Sequence, residues 1–152
     1  MKTHATKMVL ALGMMVTAFA PVVALAATPT EEARFVAAVR KAFDERKGAG
    51  LTELVCWDRV GDAERKSTEK MYKELVEEKD VIWEFKLVDP DPKAVERSKK
   101  EENGIVRKGN LAVVKQLEMT FRDKDGKRIL GIIGFGVGEK DGKLMLAAVA
   151  DK

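Results

Sequence analysis

The sequence is poor in the side chains that most often carry chemistry. Among its 152 residues there are one histidine, His4, one cysteine, Cys56, and one tyrosine, Tyr72. A single cysteine excludes an intramolecular disulfide, and a chain of this length can bury one hydrophobic core without such a staple. The charges nearly cancel, at a formal net of +3. The chain therefore lacks the basic excess that is typical of nucleic-acid binders.

The N-terminal segment has the pattern of a secretory signal peptide. Two lysines precede an apolar stretch over residues 8–20, and Ala24-Leu25-Ala26 then offers the small residues of a cleavage site. We therefore predict a signal peptide at residues 1–26, a single domain at residues 27–152, and a periplasmic or secreted location. An uncleaved anchor over residues 8–27 is the alternative, because that stretch is just long enough to span a bilayer.

Removal of the signal peptide would restrict the chemistry further. His4 lies inside the segment, so the mature chain would contain no histidine and no imidazole base. Cys56 would be alone in an oxidising compartment. Asp123-Lys-Asp-Gly126 resembles the start of a calcium loop but lacks its later ligands, which favours a hairpin turn. We predict no metal site, no cofactor, no nucleic-acid partner and no membrane attachment after cleavage.

Two amphipathic helices are predicted in the first half of the mature chain. Thr28-Pro-Thr-Glu31 has the spacing of a capping box, and apolar side chains recur at helical spacing over residues 35–43. Gly48 and Gly50 are expected to end this helix, and the segment from residue 51 to residue 57 fits either a helical turn or a strand. The second helix is expected to bury Met71, Tyr72, Leu75 and Val76, with either Asp58 or Asp62 as its N-cap.

From Val81 onward the apolar period changes to the alternation of strands. Trp83, Phe85 and Leu87 share one face, with Glu84 and Lys86 on the other. Residues 93–103 are almost wholly charged and are predicted to form an exposed turn or loop. The alternation that begins at Leu111 predicts a second strand, and two Asp-Gly turns separate it from two further strands. This order predicts an α+β fold, with two amphipathic helices packed on a curved antiparallel sheet of at least four strands.

This order of elements and two short segments resemble known proteins. The segments are Trp57-Asp58-Arg59-Val60, before the second helix, and residues 137–143 near the end. Two helices followed by a curved meander resemble the cystatin-like and NTF2-like cone folds, and the two segments resemble small exported bacterial proteins of unknown function. The resemblance implies a cone architecture. Cone-fold enzymes carry an Asp, His or Tyr set inside the cone, and the mature chain offers no histidine for it.

Candidate catalytic residues are Asp58 and Glu84. Asp58 could act as a base if desolvation raised its pKa, although an N-cap role for Asp58 and a core role for Cys56 and Trp57 are the simpler interpretation. Glu84 would line a polar cavity only if the sheet curled towards its face; otherwise it is a solvated exterior group. Trp57 and Tyr72 are candidate walls of a ligand pocket, and Tyr72 also fits the core.

A run of glycines is the remaining candidate site. Gly134 and Gly136 share one strand face with Gly138, and a face without side chains lets another group approach the backbone. That group could be a helix packed on a curved sheet, or a ligand. Lys115 stands among apolar residues on its strand and is expected to extend to an edge, with a buried ion pair as the alternative.

The sequence leaves two function classes open. The first is a non-catalytic module that binds a small molecule or a protein partner through the sheet or the cone mouth. The alternative is a histidine-free cone-fold enzyme, a lyase, isomerase or hydrolase, that uses Asp58 or Glu84 as a base between Trp57 and Tyr72. A homodimer through the sheet edge or face is a further prediction.

Overall fold

The computed structural model describes residues 29–93, 100–102 and 105–150. The predicted signal peptide and most of the charged stretch after residue 93 lie outside the described residues. Within the described part the chain begins with three helices: α1 (Pro29–Asp44), α2 (Gly48–Thr52) and α3 (Asp62–Glu77).

Strands make up most of the rest of the described chain: β1 (Val81–Val88), β2 (Lys100–Glu102), β3 (Ile105–Arg107), β4 (Lys115–Asp123), β5 (Ile129–Lys140) and β6 (Lys143–Leu146). An antiparallel sheet of order β1-β4-β5-β6 curls into a half-barrel, and β2 and β3 form a separate hairpin. The predicted α+β fold is confirmed. The loop prediction for residues 93–103 is wrong at its end, because residues 100–102 pair with β3.

Helix α1 packs its apolar stripe against β1. Phe35 and Phe43 are buried, as their helical spacing predicts. The Phe43 ring centroid lies 5.0 Å from that of Trp83 and 4.9 Å from that of Phe85. These contacts place the Trp83 and Phe85 face of β1 on the core side. Glu84 therefore points away from the α1 side of the sheet, as the alternation of β1 requires.

The connection between α1 and α3 corrects the role expected of two glycines. Helix α1 already ends at Asp44, and Gly48 begins α2. A Cβ on Gly48 would lie 2.7 Å from the Lys73 Cα, and one on Gly50 would lie 2.9 Å from the Ala42 Cβ. The glycines thus let α2 pack closely between α3 and α1. The segment that fitted helix or strand contains the end of α2 and no regular strand; Val55 after the helix forms an isolated parallel bridge with Leu146 of β6.

Helix α3 buries one side of the stripe that its sequence predicts. Tyr72 and Val76 are buried, whereas Met71 keeps 41% of its surface exposed. The predicted carboxylate cap is also wrong, since the N-cap is Gly61 without a side-chain hydrogen bond. Asp62 lies in the first turn, where its charge complements the helix dipole. Asp58 is instead paired with the Lys140 ammonium group.

Candidate functional site

An open groove of about 470 Å³ lies between α3 and the chain segment that leads into β4. Helix α3 provides one wall through residues spaced three or four apart, so that a single helix face borders the groove. Residues from the segment before β4, from β5 and from the chain after β6 provide the rest. The lining residues are Glu64, Ser67, Thr68, Met71, Tyr72, Lys108, Gly109, Leu111, Ala112, Val113, Phe135, Gly136, Ala147, Ala148 and Val149.

The wall opposite α3 is built by an extended segment, residues 108–114, and not by a regular strand. The Ala150 N–H donates to the Lys108 carbonyl at 2.9 Å, and Gly109 bridges Val149 in antiparallel orientation. The Val114 N–H then donates to the Val137 carbonyl at 2.8 Å. The expectation that the strand begins at Leu111 is therefore wrong, because β4 starts at Lys115 and the preceding residues cross the face of β5.

The glycine face of β5 is covered by this crossing segment. A Cβ on Gly136 would lie 2.9 Å from Val113 Cγ2, and one on Gly138 would lie 2.6 Å from the Leu111 Cβ. The crossing chain can come this close because neither glycine carries a side chain. The approaching group on this part of the face is thus the protein's own chain, with Gly136 bordering the groove.

Gly134 lies apart from the groove, under a side chain of the neighbouring strand. A Cβ on Gly134 would overlap the Gln116 side-chain amide. The register explains the contact, because Gly134 pairs with Glu118 and Gly136 pairs with Gln116 on the same face. Gly134 therefore accommodates Gln116, and of the two predicted ligand-binding glycines only Gly136 borders the groove.

Asn110 holds the base of the crossing segment, and sequence reasoning missed it. Its side chain is buried, with 6% of its surface exposed. The amide Nδ2 donates to the Cys56 carbonyl at 2.5 Å and to the Asp58 carbonyl at 3.1 Å, while Oδ1 accepts from the Ala148 N–H at 2.9 Å. One side chain thus joins three segments distant in sequence, and a lone asparagine in a polar stretch gave no signal of that role.

Tyr72 is the buried polar residue of the groove. Only 2% of its surface is exposed, and its ring centroid lies 5.6 Å from that of Phe135. Burial raises the pKa of the Tyr72 hydroxyl well above its ordinary value of 10.0, so the group remains protonated. Its part in the predicted core stripe is confirmed, and it also forms part of the groove wall.

The Tyr72 hydroxyl donates to no residue that the structure describes; desolvation is all that shifts its pKa. Within that part of the chain, every fully buried side-chain nitrogen or oxygen has a hydrogen-bond partner. The hydroxyl oxygen is therefore not fully enclosed, and the residue that carries it borders the groove.

Trp57 and Asp58 lie outside the groove. The Trp57 indole N–H donates to the Thr52 carbonyl at 3.0 Å, and the Arg65 guanidinium lies 5.0 Å from the centroid of its ring. The Asp58 side chain is 56% exposed and forms an ion pair with Lys140. Cys56 beside them is buried, as its core interpretation requires.

Glu84 lies on the sheet face that points away from α1. Its carboxylate accepts a hydrogen bond from Arg122 Nε at 3.0 Å, and 43% of its side chain is exposed. The solvated interpretation of Glu84 matches this position. The two predicted bases, Asp58 and Glu84, are thus each paired with a cation, and neither borders the groove.

The Lys115 side chain is half-buried and forms two ion pairs. Its ammonium nitrogen lies 2.9 Å from Asp89 Oδ1 and 3.5 Å from Glu32 Oε1, and 29% of the side chain is exposed. The hydrogen bond with Asp89 raises the pKa of Lys115. Lys115 begins the interior strand β4 and not an edge strand, so its expected edge position is wrong; its ion pairs join the residue after β1 to α1.

Across residues 29–93, 100–102 and 105–150, no group of three or more His, Cys, Asp and Glu side chains is arranged to hold a metal ion. No helix in the same ranges is long and apolar enough to cross a bilayer.

The fold and groove define a class of protein: a small α+β protein with an open, largely apolar groove. No family model matches this chain, and no curated protein or solved structure is significantly similar to it. The resemblance to the cystatin-like and NTF2-like cone folds therefore stays a prediction.

Proposed function

We propose that the protein is an exported, non-catalytic binding module that holds a small apolar molecule in the groove between α3 and residues 108–113. The groove volume of about 470 Å³ carries this proposal. Sites for small molecules typically enclose roughly 300 to 1,000 Å³ and are lined mainly by apolar side chains. Leu111, Val113, Phe135 and Val149 supply such a lining.

The shape of the groove favours a small molecule over a protein partner. A stable protein interface buries about 800 Å² on each partner, across a surface of many residues. The groove is a recess between one helix face and one extended segment, with Tyr72 in its wall. A compact apolar ligand fills such a recess, whereas a folded partner would contact mainly its rim.

Binding is also favoured over catalysis by the positions of the predicted bases. A general base must come within hydrogen-bond reach of the proton that it removes. Asp58 is exposed beside Lys140, and Glu84 is half-buried beside Arg122, on surfaces that do not border the groove. The geometry therefore supports a binding role best.

The test uses 2-ethylnaphthalene, a hydrocarbon without a hydrogen-bonding group, titrated into the protein and followed by amide NMR shifts. We expect saturable shifts at residues that line the groove, such as Val113 and Ala147. Thr68→Trp should abolish them, because an indole from the α3 wall fills the recess. Lys66→Trp is the matched control, since Lys66 is exposed on the same helix and does not line the groove.

Three outcomes decide between the alternatives. Saturation in the wild type and Lys66→Trp, with loss in Thr68→Trp, supports the proposal. The absence of saturable shifts in folded wild-type protein, both with this hydrocarbon and with the corresponding ketone 2-acetylnaphthalene, contradicts it. Shifts that persist in folded Thr68→Trp place the binding elsewhere and also contradict it.

A further inference from the structure

The Tyr72 hydroxyl is a buried donor without an acceptor among the residues that the structure describes. Only 2% of the surface of Tyr72 is exposed, its hydroxyl makes no hydrogen bond to a described residue, and the residue borders the groove. Buried polar groups in folded proteins nearly always have partners. A donor left open at the wall of an apolar recess is therefore placed to meet a group on a ligand.

We infer that the groove takes a small apolar molecule carrying a carbonyl-type oxygen, and that the Tyr72 hydroxyl donates a hydrogen bond to that oxygen. This inference rests on the proposed binding function and names the class of ligand for it. A phenol is both donor and acceptor, but burial raises the Tyr72 pKa and keeps the proton on the oxygen. The group is therefore a donor throughout the ordinary pH range.

The surroundings of Tyr72 make this hydrogen bond selective. Phe135 packs beside its ring, and Val113 and Ala147 also line the groove. A hydrocarbon that fills the recess would shut the hydroxyl away from water without giving it an acceptor, and an unsatisfied buried donor is costly. A ligand of equal shape with a carbonyl oxygen would avoid that cost. The site would therefore bind such a ligand more tightly than the corresponding hydrocarbon.

Ser67 and Thr68 give the groove two further hydroxyl groups, and these differ from Tyr72 in burial. Ser67 is exposed and Thr68 is half-buried, so water can satisfy both. Removing either hydroxyl should change ligand selectivity little. Tyr72 is therefore the residue that the experiment alters.

The experiment compares 2-acetylnaphthalene with 2-ethylnaphthalene, which differ in a carbonyl oxygen where the hydrocarbon has two hydrogens. In the wild-type protein we expect the ketone to bind about 2- to 12-fold more tightly, the range of one net hydrogen bond. In Tyr72→Phe the preference should disappear, while the affinity for 2-ethylnaphthalene stays the same or rises. Both dissociation constants come from the same NMR titration.

Thermal unfolding of the ligand-free proteins is a second test of the Tyr72 assignment. Because the Tyr72 hydroxyl has no partner among the described residues, Tyr72→Phe should unfold at the wild-type temperature or above it. A clear loss of stability in this variant would mean that the hydroxyl is bonded within the protein, and it would overturn the inference.

The titration separates failure of the inference from failure of the proposed function. If the wild type binds both compounds equally, or if Tyr72→Phe keeps the preference for the ketone, the assignment of Tyr72 is wrong while the groove still binds ligands. If the wild type binds the ketone but not the hydrocarbon, the inference stands and the apolar contribution is small. If neither compound saturates, the proposed function and the inference both fail.

Discussion

At the scale of single residues, a few buried polar groups organise the groove. Asn110 joins the chain before α3, the segment before β4 and the chain after β6. It satisfies backbone groups that would otherwise be buried without partners, and such groups cost far more when orphaned than a typical hydrogen bond contributes. The Asn110 amide therefore fixes the groove wall together with the backbone hydrogen bonds of Lys108 and Val114.

Asn110→Ala tests this role. The change leaves the Cys56 carbonyl and the Ala148 N–H without their side-chain partner. We expect the free energy of unfolding to fall by about 2 to 3 kcal/mol, the cost of orphaned buried groups, as measured by urea denaturation. Lys108→Ala is the control in the same segment, because Lys108 is exposed and should change stability by less than about 0.5 kcal/mol. Equal effects of the two substitutions would contradict the assigned role.

For single residues, the sequence predicts burial better than it predicts the partner of a side chain. Tyr72 was expected either in the core or in a pocket wall, and it occupies both positions at once. Asp58 was expected to cap a helix, but a Lys140 distant in sequence attracts its carboxylate. A local pattern cannot reveal such a partner, because the two residues lie 82 positions apart and only the tertiary structure brings them together.

At the scale of elements, α1 contacts both edge strands of the curled sheet, β1 and β6. Phe43 contacts β1 through Trp83, and Glu31 accepts a hydrogen bond from the Leu144 N–H of β6 at 3.0 Å. The side-chain hydrogen bond with Arg34 and the Leu144 N–H both lower the pKa of Glu31 below its ordinary value of 4.5. The ionised carboxylate is thus the form that links α1 to β6.

A dependence of stability on pH follows from Glu31. A carboxyl whose pKa is lower in the folded state contributes stability above its unfolded pKa of about 4.5 and loses it as the pH falls through the folded value. In Glu31→Gln, the decline in unfolding free energy from pH 7 to pH 3 should be smaller than in the wild type. Urea denaturation at both pH values measures it.

The control for Glu31 is Glu53→Gln, at an exposed carboxylate with no ion pair to a described residue. The decline in its unfolding free energy from pH 7 to pH 3 should match that of the wild type. The same decline in all three proteins would show that Glu31 does not couple folding to protonation.

Sequence periodicity predicted the elements because it reports local geometry. The alternation from Val81 and the helical spacing of Phe35 and Phe43 each mark one face of one element, and the structure buries those faces. The same periodicity does not predict the path of residues 108–114. Their alternation is that of a strand, but they cross the face of β5 instead of extending β4, because Gly136 and Gly138 open that face.

At the scale of the whole molecule, export stays a prediction from residues 1–26. The prediction concerns the mature N-terminus and can be checked by the intact mass of protein secreted by a host with a general export pathway. We expect a chain beginning at Ala27, because small residues at Ala24 and Ala26 suit a signal peptidase. A mass that includes Met1 would contradict cleavage and favour the anchor.

Self-association likewise stays a prediction. Exposed aliphatic side chains gather near the hairpin between β4 and β5, on a surface separate from the groove. The residues are Ile82, Ile129, Leu130 and Ile132, with 44% to 59% of their surface exposed.

The sequence alone determined which chemistry is absent and which elements form. It provides a single cysteine, no histidine after residue 4, and the two periodicities that predict the helices and strands. Tertiary structure alone decided where the groove lies, since its walls come from α3, from residues 108–113 and from residues 147–149. Periodicity describes neighbours along one element, whereas a groove exists only between elements, and the packing of distant segments sets its position.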